Sequence, residues 1–244
     1  MRQDYPTWLA EQKYAENTQV AQIHRVKKVE ECYGSLDKHD ADGTYQGVID
    51  QLKYSADDER ANKPNPSKIK FEGNIRNNLQ SYKNAVVRYQ KFLKDDGFDR
   101  MPSNTEDACE KLELPSEDES AKQRFTLERD MQAALRQNIA SLDPSLKIID
   151  DGAERAVNSG FIDITCADGN GIVVVELKAG KTDCKVIGQI LGYMGDVQEE
   201  ENGKQVRGII VASDFDKRTK AAARVVPTLT LKKYSIEFKF MEET

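Results

Sequence analysis

Apolar residues recur along this chain with a helical period at first and with a mixed helical and strand period later. In the first 94 residues the spacing predicts helices near Thr7–Glu16, Ala21–Tyr33, Tyr45–Ser55 and Asn74–Lys94. The segment "NKPNPSKIKFEG" separates the last two, because Pro64 and Pro66 cannot sit inside a helix. In "FTLERDMQAALRQNIASL", Leu127, Met131, Ala134, Leu135 and Leu142 fall at helical spacing, and Pro144 ends the element. Three strands follow, "LKIID", the alternating "GFIDITC" and "GIVVVELK", with Asp168, Gly169 and Asn170 as the hairpin turn between the last two. Then come a helix with Val186, Ile190, Met194 and Val197 on one stripe, a strand "RGIIVAS", a helix ended by Pro227, and a final strand "SIEFKF". The third and fourth strands are joined by a helix, so they are expected to be parallel in a mixed sheet.

Charge changes how the chain divides. The net charge is −6, which on its face argues against a nucleic-acid partner. Residues 95–119 hold ten acids against two bases, so without them the rest is slightly basic. With Pro102 and Pro115 and few large apolar residues, this stretch reads as an acidic linker. It divides a helical domain, 1–94, from an α/β domain, 120–244. No run of about 18 apolar residues is present, so no membrane partner is expected. The N-terminus has no signal-like apolar region, which points to the cytoplasm. Cys32, Cys109, Cys166 and Cys184 show no CxxC spacing and read as reduced thiols, and two histidines, His24 and His39, are too few for a His-rich zinc site.

The candidate chemistry lies in "GIVVVELKAGKT". Gly180-Lys181-Thr182 has the tail of a phosphate-binding P-loop, but that loop needs a glycine where Val175 stands inside the strand. Two residues earlier, Glu176 and Lys178 share one face of the strand by alternation, while Val175 and Leu177 share the other. Asp163, on the preceding strand, is opposite in phase to Ile162 and Ile164, and the short turn lets it approach Glu176 closely enough to share a cation. Two carboxylates can bind Mg²⁺ through oxygen, and a lysine beside them can orient or deprotonate a water and offset charge on a phosphorane. Taken by itself, Glu-x-Lys fits a surface Glu-Lys pair on an edge strand better. Glu128 falls within the apolar stripe of its helix, roughly 50° from the centre, where an inward carboxylate needs a cation or a basic side chain. Gln189 and Tyr193, four apart, border the buried stripe of the next helix.

Together "LERDMQAALRQNI", "SGFIDITCADGNGIVVVELKAG" and "IGQILGYMGD" resemble the PD-(D/E)XK nuclease superfamily, and within it the RecB-like branch and the catalytic domain of NucS/EndoMS-type endonucleases. The resemblance covers only the C-terminal half. It implies a restriction-endonuclease-like α/β fold, a mixed β-sheet flanked by helices with an αβββαβ core, here preceded by the mainly α-helical domain. It also implies a metal-dependent DNA endonuclease in which Asp163 and Glu176 hold Mg²⁺ or Mn²⁺ and Glu128 supports the metal. Lys178 would then assist the attacking water, and Gln189 and Tyr193 would shape the pocket. A non-cleaving nucleic-acid-binding protein on the same fold is the alternative. NucS-like enzymes begin with a β-rich DNA-binding and dimerisation domain. The helical first 94 residues depart from that, so mismatch specificity does not carry over.

DNA is the expected partner of the helical domain too. Between Lys63 and Lys94 there are eight bases and one acid, Glu72. Lys68, Lys70, Arg76, Lys83, Arg88, Lys91 and Lys94 are the candidate phosphate contacts, the last five on one helix without an acid. The other reading is a basic face that balances the acidic linker. With one site per chain, cutting both strands would take two events or a homodimer.

Overall fold

A computed structural model describes residues 1–95, 98 and 117–236, and within 117–126 the backbone alone. The N-terminal helices are α1 (Tyr5–Glu11), α2 (Glu16–Tyr33), α3 (Leu36–Ala41), α4 (Tyr45–Gln51), α5 (Ala56–Arg60) and α6 (Ile75–Leu93). The first predicted helix ends early, because Lys13 takes a left-handed φ of 60° between α1 and α2. Helices α3 and α5 were not predicted. At six and five residues they are too short to show a period, and α5 is held by a capping box between Ser55 and Asp58. Tyr5, Trp8, Tyr89 and Phe92 interlock at the centre of this domain, with Tyr5 edge-on to Tyr89 at 4.8 Å between ring centroids.

The second domain begins with α7 (Glu117–Gln137), already helical at the end of the stretch read as linker. The acidic segment before it, with Cys109, lies outside the described residues. Strands β1 (Lys147–Ile148), β4 (Ile164–Ala167), β5 (Ile172–Thr182), β6 (Val206–Phe215) and β7 (Leu229–Lys233) form one sheet in the order β1-β4-β5-β6-β7. The β1/β4 and β4/β5 pairs are antiparallel, and β5, β6 and β7 are parallel. Helices α8 (Lys185–Glu200) and α9 (Lys217–Arg224) make the parallel crossovers. Side chains of β5 alternate between two cores. Ile172 and Val174 pack with Val186, Ile190 and Met194 of α8, whereas Val173, Val175 and Leu177 pack towards Leu135, Ile139 and Leu142 around the end of α7. Helices on both faces explain why this strand reads as an unbroken apolar run.

Two strand expectations are corrected. "GFIDITC" is not one strand but β3 (Gly160–Ile162) and β4, broken at Asp163. Ile162 therefore enters the α8 core and Ile164 the α7 core, although simple alternation puts them on one face. Strand β3 pairs instead with β2 (Arg155–Val157) in a separate two-stranded ribbon. The last described strand is Leu229–Lys233, where Leu229 faces the core and Lys232 and Lys233 are exposed. Residues 237–240 of the predicted "SIEFKF" lie outside the described residues.

The two domains meet through α6. Arg88 is 0% exposed; its Nη2 donates to the Glu154 carbonyl at 2.6 Å, its Nη1 to Gln22 Oε1 at 3.0 Å, and its Nε lies 3.5 Å from Glu154 Oε2. Lys83 pairs with Glu200 at 3.0 Å and Arg76 with Glu201 at 2.8 Å, while Arg155 bridges both of those glutamates. Three expected phosphate contacts, Arg76, Lys83 and Arg88, are thus spent between domains. A guanidinium sealed against its own carboxylate cannot reach a phosphate backbone.

Burial alone would raise the Glu154 carboxyl, but Lys91 and Arg88 beside it bring it down to about 2. A folded value below the unfolded one, about 4.3, stabilises the fold above that pH and loses the benefit as pH falls towards 2. Glu154→Gln is therefore expected to melt lower than wild type at pH 7, with a linked loss on the order of 3 kcal/mol. In thermal melts recorded across pH the gap between the two proteins should close between about pH 4.5 and 2. A gap that stays constant would show that the carboxylate charge does not hold this interface.

Candidate active site

Alternation along β5 places Glu176 and Lys178 on the face that α8 covers, at the end of the strand where that cover gives out. Glu176 is 1% exposed. Its Oε1 accepts from Lys178 Nζ at 2.7 Å, and its Oε2 is buried without a hydrogen-bond partner. An orphaned carboxylate oxygen is costly unless something occupies it. The Asp163 break puts that residue one step beyond the last registered pair of β4 and β5, Ile164 with Val175. There its Oδ2 accepts from the Leu177 N–H at 2.7 Å.

Helix α7 fixes this arrangement from the other face with three residues spaced four apart. Glu128 Oε1 accepts from the Ala179 N–H at 2.9 Å. Gln132 Nε2 and Arg136 Nη2 both donate to the Asp163 carbonyl, at 2.7 and 2.5 Å. Arg136 also grips buried Asp150, which accepts from the Thr165 N–H beside the break. Sequence reading missed Gln132, Arg136 and Asp150; the i, i+4, i+8 repeat from Glu128 was the available signal for the first two. Glu128 stands near enough to Glu176 and Lys178 to act on both charges. Among the described residues no three His, Cys, Asp or Glu side chains close around one point, and the Glu128 carboxylate is drawn to the backbone.

On α8, Gln189 Nε2 donates to the Tyr193 hydroxyl at 2.9 Å. Tyr193 lies over Gly160, where a Cβ would stand 3.0 Å from the hydroxyl and where φ is +145°. Any larger residue at 160 would push this ring away.

All six candidates, Glu128, Asp163, Glu176, Lys178, Gln189 and Tyr193, line one cleft of about 770 Å³ between the domains. Its far wall is α6 with its C-cap, contributing Val87, Gln90, Lys91 and the cap residue Lys94. Lys91 is partly exposed, with its ammonium 5.0 Å from the centre of the Phe161 ring. Lys68 and Lys70 are exposed on the connection before α6 and do not line this cleft.

Burial and the neighbouring Glu176 charge raise the Asp163 carboxyl well above the ordinary range, while Leu177 N–H pulls the other way. Burial and the Glu128 charge raise Glu176, against the opposing pull of Lys178 and of the nearby Gln189 amide. For the Lys178 ammonium, burial favours a lower value, but Glu176, Asp163 and Glu128 outweigh it and hold the group above an ordinary lysine. Two buried carboxyls that disfavour each other as anions form a hard-oxygen donor set that suits a divalent cation.

Residues 127–242 match the family described as Endonuclease NucS C-terminal domain. Endonuclease NucS of Thermococcus kodakarensis is 31% identical over 116 residues, 47% of this chain and 42% of that protein. Endonuclease NucS of Pyrococcus horikoshii is 37% identical over 90 residues, 36% of this chain and 32% of that protein. The match therefore spans well under half the length of these curated relatives. A solved repair endonuclease from Pyrococcus abyssi is 28% identical, with 52% of this chain and 49% of that chain covered and a TM-score of 0.38. The matched relatives are endonucleases, and every site residue except those on α6 falls inside the matched segment. The C-terminal half of this chain is thus similar to the C-terminal domain of NucS-type endonucleases.

Proposed function

We propose that the protein is a metal-dependent DNA endonuclease, cutting phosphodiester bonds in the cleft between its two domains. The observation that carries this reading is the buried Glu176 carboxylate, whose Oε2 has no partner and which stands with Asp163 and Lys178 at the strand end. The similarity of the domain to that of NucS-type endonucleases supports it. Asp163 and Glu176 would hold Mg²⁺ or Mn²⁺, a fit that rests on the orphaned oxygen and the all-oxygen donor pair. When bound, the ion polarises the phosphoryl oxygen and makes water a stronger nucleophile.

The chain's own residues do the rest. Lys178 keeps a positive charge beside the carboxylates, where it can orient the attacking water and offset negative charge building on phosphorus. Water oxygen forms the new bond to phosphorus as the bond to the leaving sugar oxygen breaks, and that oxygen takes up a proton. Glu128, through the Ala179 N–H, fixes the end of β5 and so the aim of Lys178. Gln132 and Arg136 hold the Asp163 carbonyl in place, leaving its carboxylate directed towards β5. The Gln189–Tyr193 pair shapes the α8 wall.

Cleavage of supercoiled plasmid and labelled duplexes in Mg²⁺ or Mn²⁺, with EDTA as control, tests the activity. Asp163→Ala and Glu176→Ala should each lower the rate by about a hundredfold or more, and Lys178→Ala by about a hundredfold. Cleavage that survives the carboxylate substitutions would sink this site. Metal-independent binding without any cleavage would favour a non-cleaving DNA-binding protein.

A second expectation concerns stability. Asp163→Asn removes one of two mutually repelling buried charges, so without divalent ions it should melt higher than wild type, by about 1 kcal/mol. Saturating Mn²⁺ should raise the wild-type melting temperature and leave Asp163→Asn nearly unmoved. Equal shifts for both proteins would place the ion elsewhere.

A further inference from the structure

The basic ridge of α6 is divided by the fold. Its earlier members, Arg76, Lys83 and Arg88, are locked against Glu200, Glu201 and Glu154. One turn beyond Arg88, Lys91 still stands 3.8 Å from Glu154 Oε1 but is exposed at the cleft, and Lys94 follows it there, both opposite the carboxylates. Buried Arg88 anchors the turn before them, so the two ammonium groups are carried on a fixed support.

A second basic group lies past the other side of the carboxylates. Strand β5 runs on from Lys178 to Lys181, which pairs in register with Asp214 of β6 after a register shift. On α8, Lys185 sits four residues before Gln189, so about 6 Å further along the same helix face. Strand β6 ends at Phe215, opposite Thr182, and α9 opens immediately with Lys217 and Arg218. Lys181, Lys185, Lys217 and Arg218 are exposed, and none makes a close ion pair among the described residues, although Arg218 and Lys181 stand near enough to Asp216 to lower its carboxyl. Their neighbours differ, since Lys220 and Lys233 are both committed to Asp214. Exposed cations in excess over the Asp216 carboxylate among them, at the carboxyl ends of parallel strands, suit a polyanion.

We propose that a nucleic-acid backbone crosses this site between two basic banks, Lys91 and Lys94 on the helical domain and Lys181, Lys185, Lys217 and Arg218 on the nuclease domain. The carboxylates face Lys91 and Lys94 across the cleft, and β5 runs on from them to Lys181. Alone the carboxylates would repel phosphate, so positive charge from both banks is what draws a strand across them. The inference rests on the nuclease reading for its substrate class, and it assigns the helical domain a share of the active-site cleft.

The test measures binding, with the full-length Glu176→Gln protein as background so that cutting does not interfere. Anisotropy of a labelled 20-mer, single-stranded and duplex, is followed across a salt series. Lys91→Gln/Lys94→Gln and Lys217→Glu/Arg218→Glu should each weaken binding about tenfold or more and flatten the log–log salt slope by about 2. The neutral glutamines at 91 and 94 avoid setting a new negative charge beside Glu154. Lys27→Glu/Lys38→Glu, exposed on α2 and α3 away from the cleft, should change affinity less than threefold. Melting curves confirm that each variant folds. Unchanged affinity and slope in either cleft variant, or an equal loss in the Lys27/Lys38 control, overturns the proposal. Plasmid cleavage by wild type alongside unchanged binding would overturn this track and leave the nuclease reading standing. Binding that tracks both banks without any cleavage by wild type would do the reverse.

Discussion

The burial of Arg88 against Glu154 governs the rest of the molecule. A guanidinium removed from water is tolerable only when its donors are used, and here Glu154, Gln22 and Tyr14 take them. Glu154 belongs to the α/β domain and Gln22 and Tyr14 to the helical one, so satisfying the charge requires the two domains to dock. Docking then makes the cleft, because α6 becomes its far wall and Lys91 and Lys94 face the strand that carries Glu176. Breaking such a pair from one side leaves an unpaired buried charge, which is why this contact sets the geometry more firmly than the exposed ion pairs elsewhere.

The second constraint is the interruption at Asp163. A strand continued through this point would keep Ile162 and Ile164 on one face. Instead the chain turns over between two cores, and the aspartate is caught at the crossing. Helix α7 grips its carbonyl from one side, and β5 offers Leu177 N–H to its carboxylate from the other. The result brings two carboxylates together in a place where both are disfavoured as anions. The fold carries that cost at the one point where a bound cation would relieve it, a common relation between stability and function at active sites.

Seen this way, the helical domain is more than an attachment. The matched family segment begins at residue 127, so none of the first six helices belongs to it. Yet α6 gives the cleft its outer wall and supplies two of its cations.

The sequence by itself determined the elements whose periods are long enough to read. These include α6, α7 and α8, the hairpin at Asp168–Asn170, and the parallel relation of β5 and β6. It also determined that Glu176 and Lys178 share a face, since strand alternation is a local property, and that Glu128 turns inward on its helix. Tertiary structure decided what local periodicity cannot express. Helices α3 and α5 and strands β2 and β3 are too short to carry a period, and the break at Asp163 exists only because two cores compete for its neighbours. The fate of the basic ridge was decided the same way. From the sequence, Arg76, Lys83, Arg88, Lys91 and Lys94 form one continuous set, and nothing local separates them. Glutamates more than 60 residues away bury the first three between the domains, while Lys91, though near Glu154, and Lys94 stay exposed at the cleft, because which charge meets which carboxylate depends on docking and not on position along a helix.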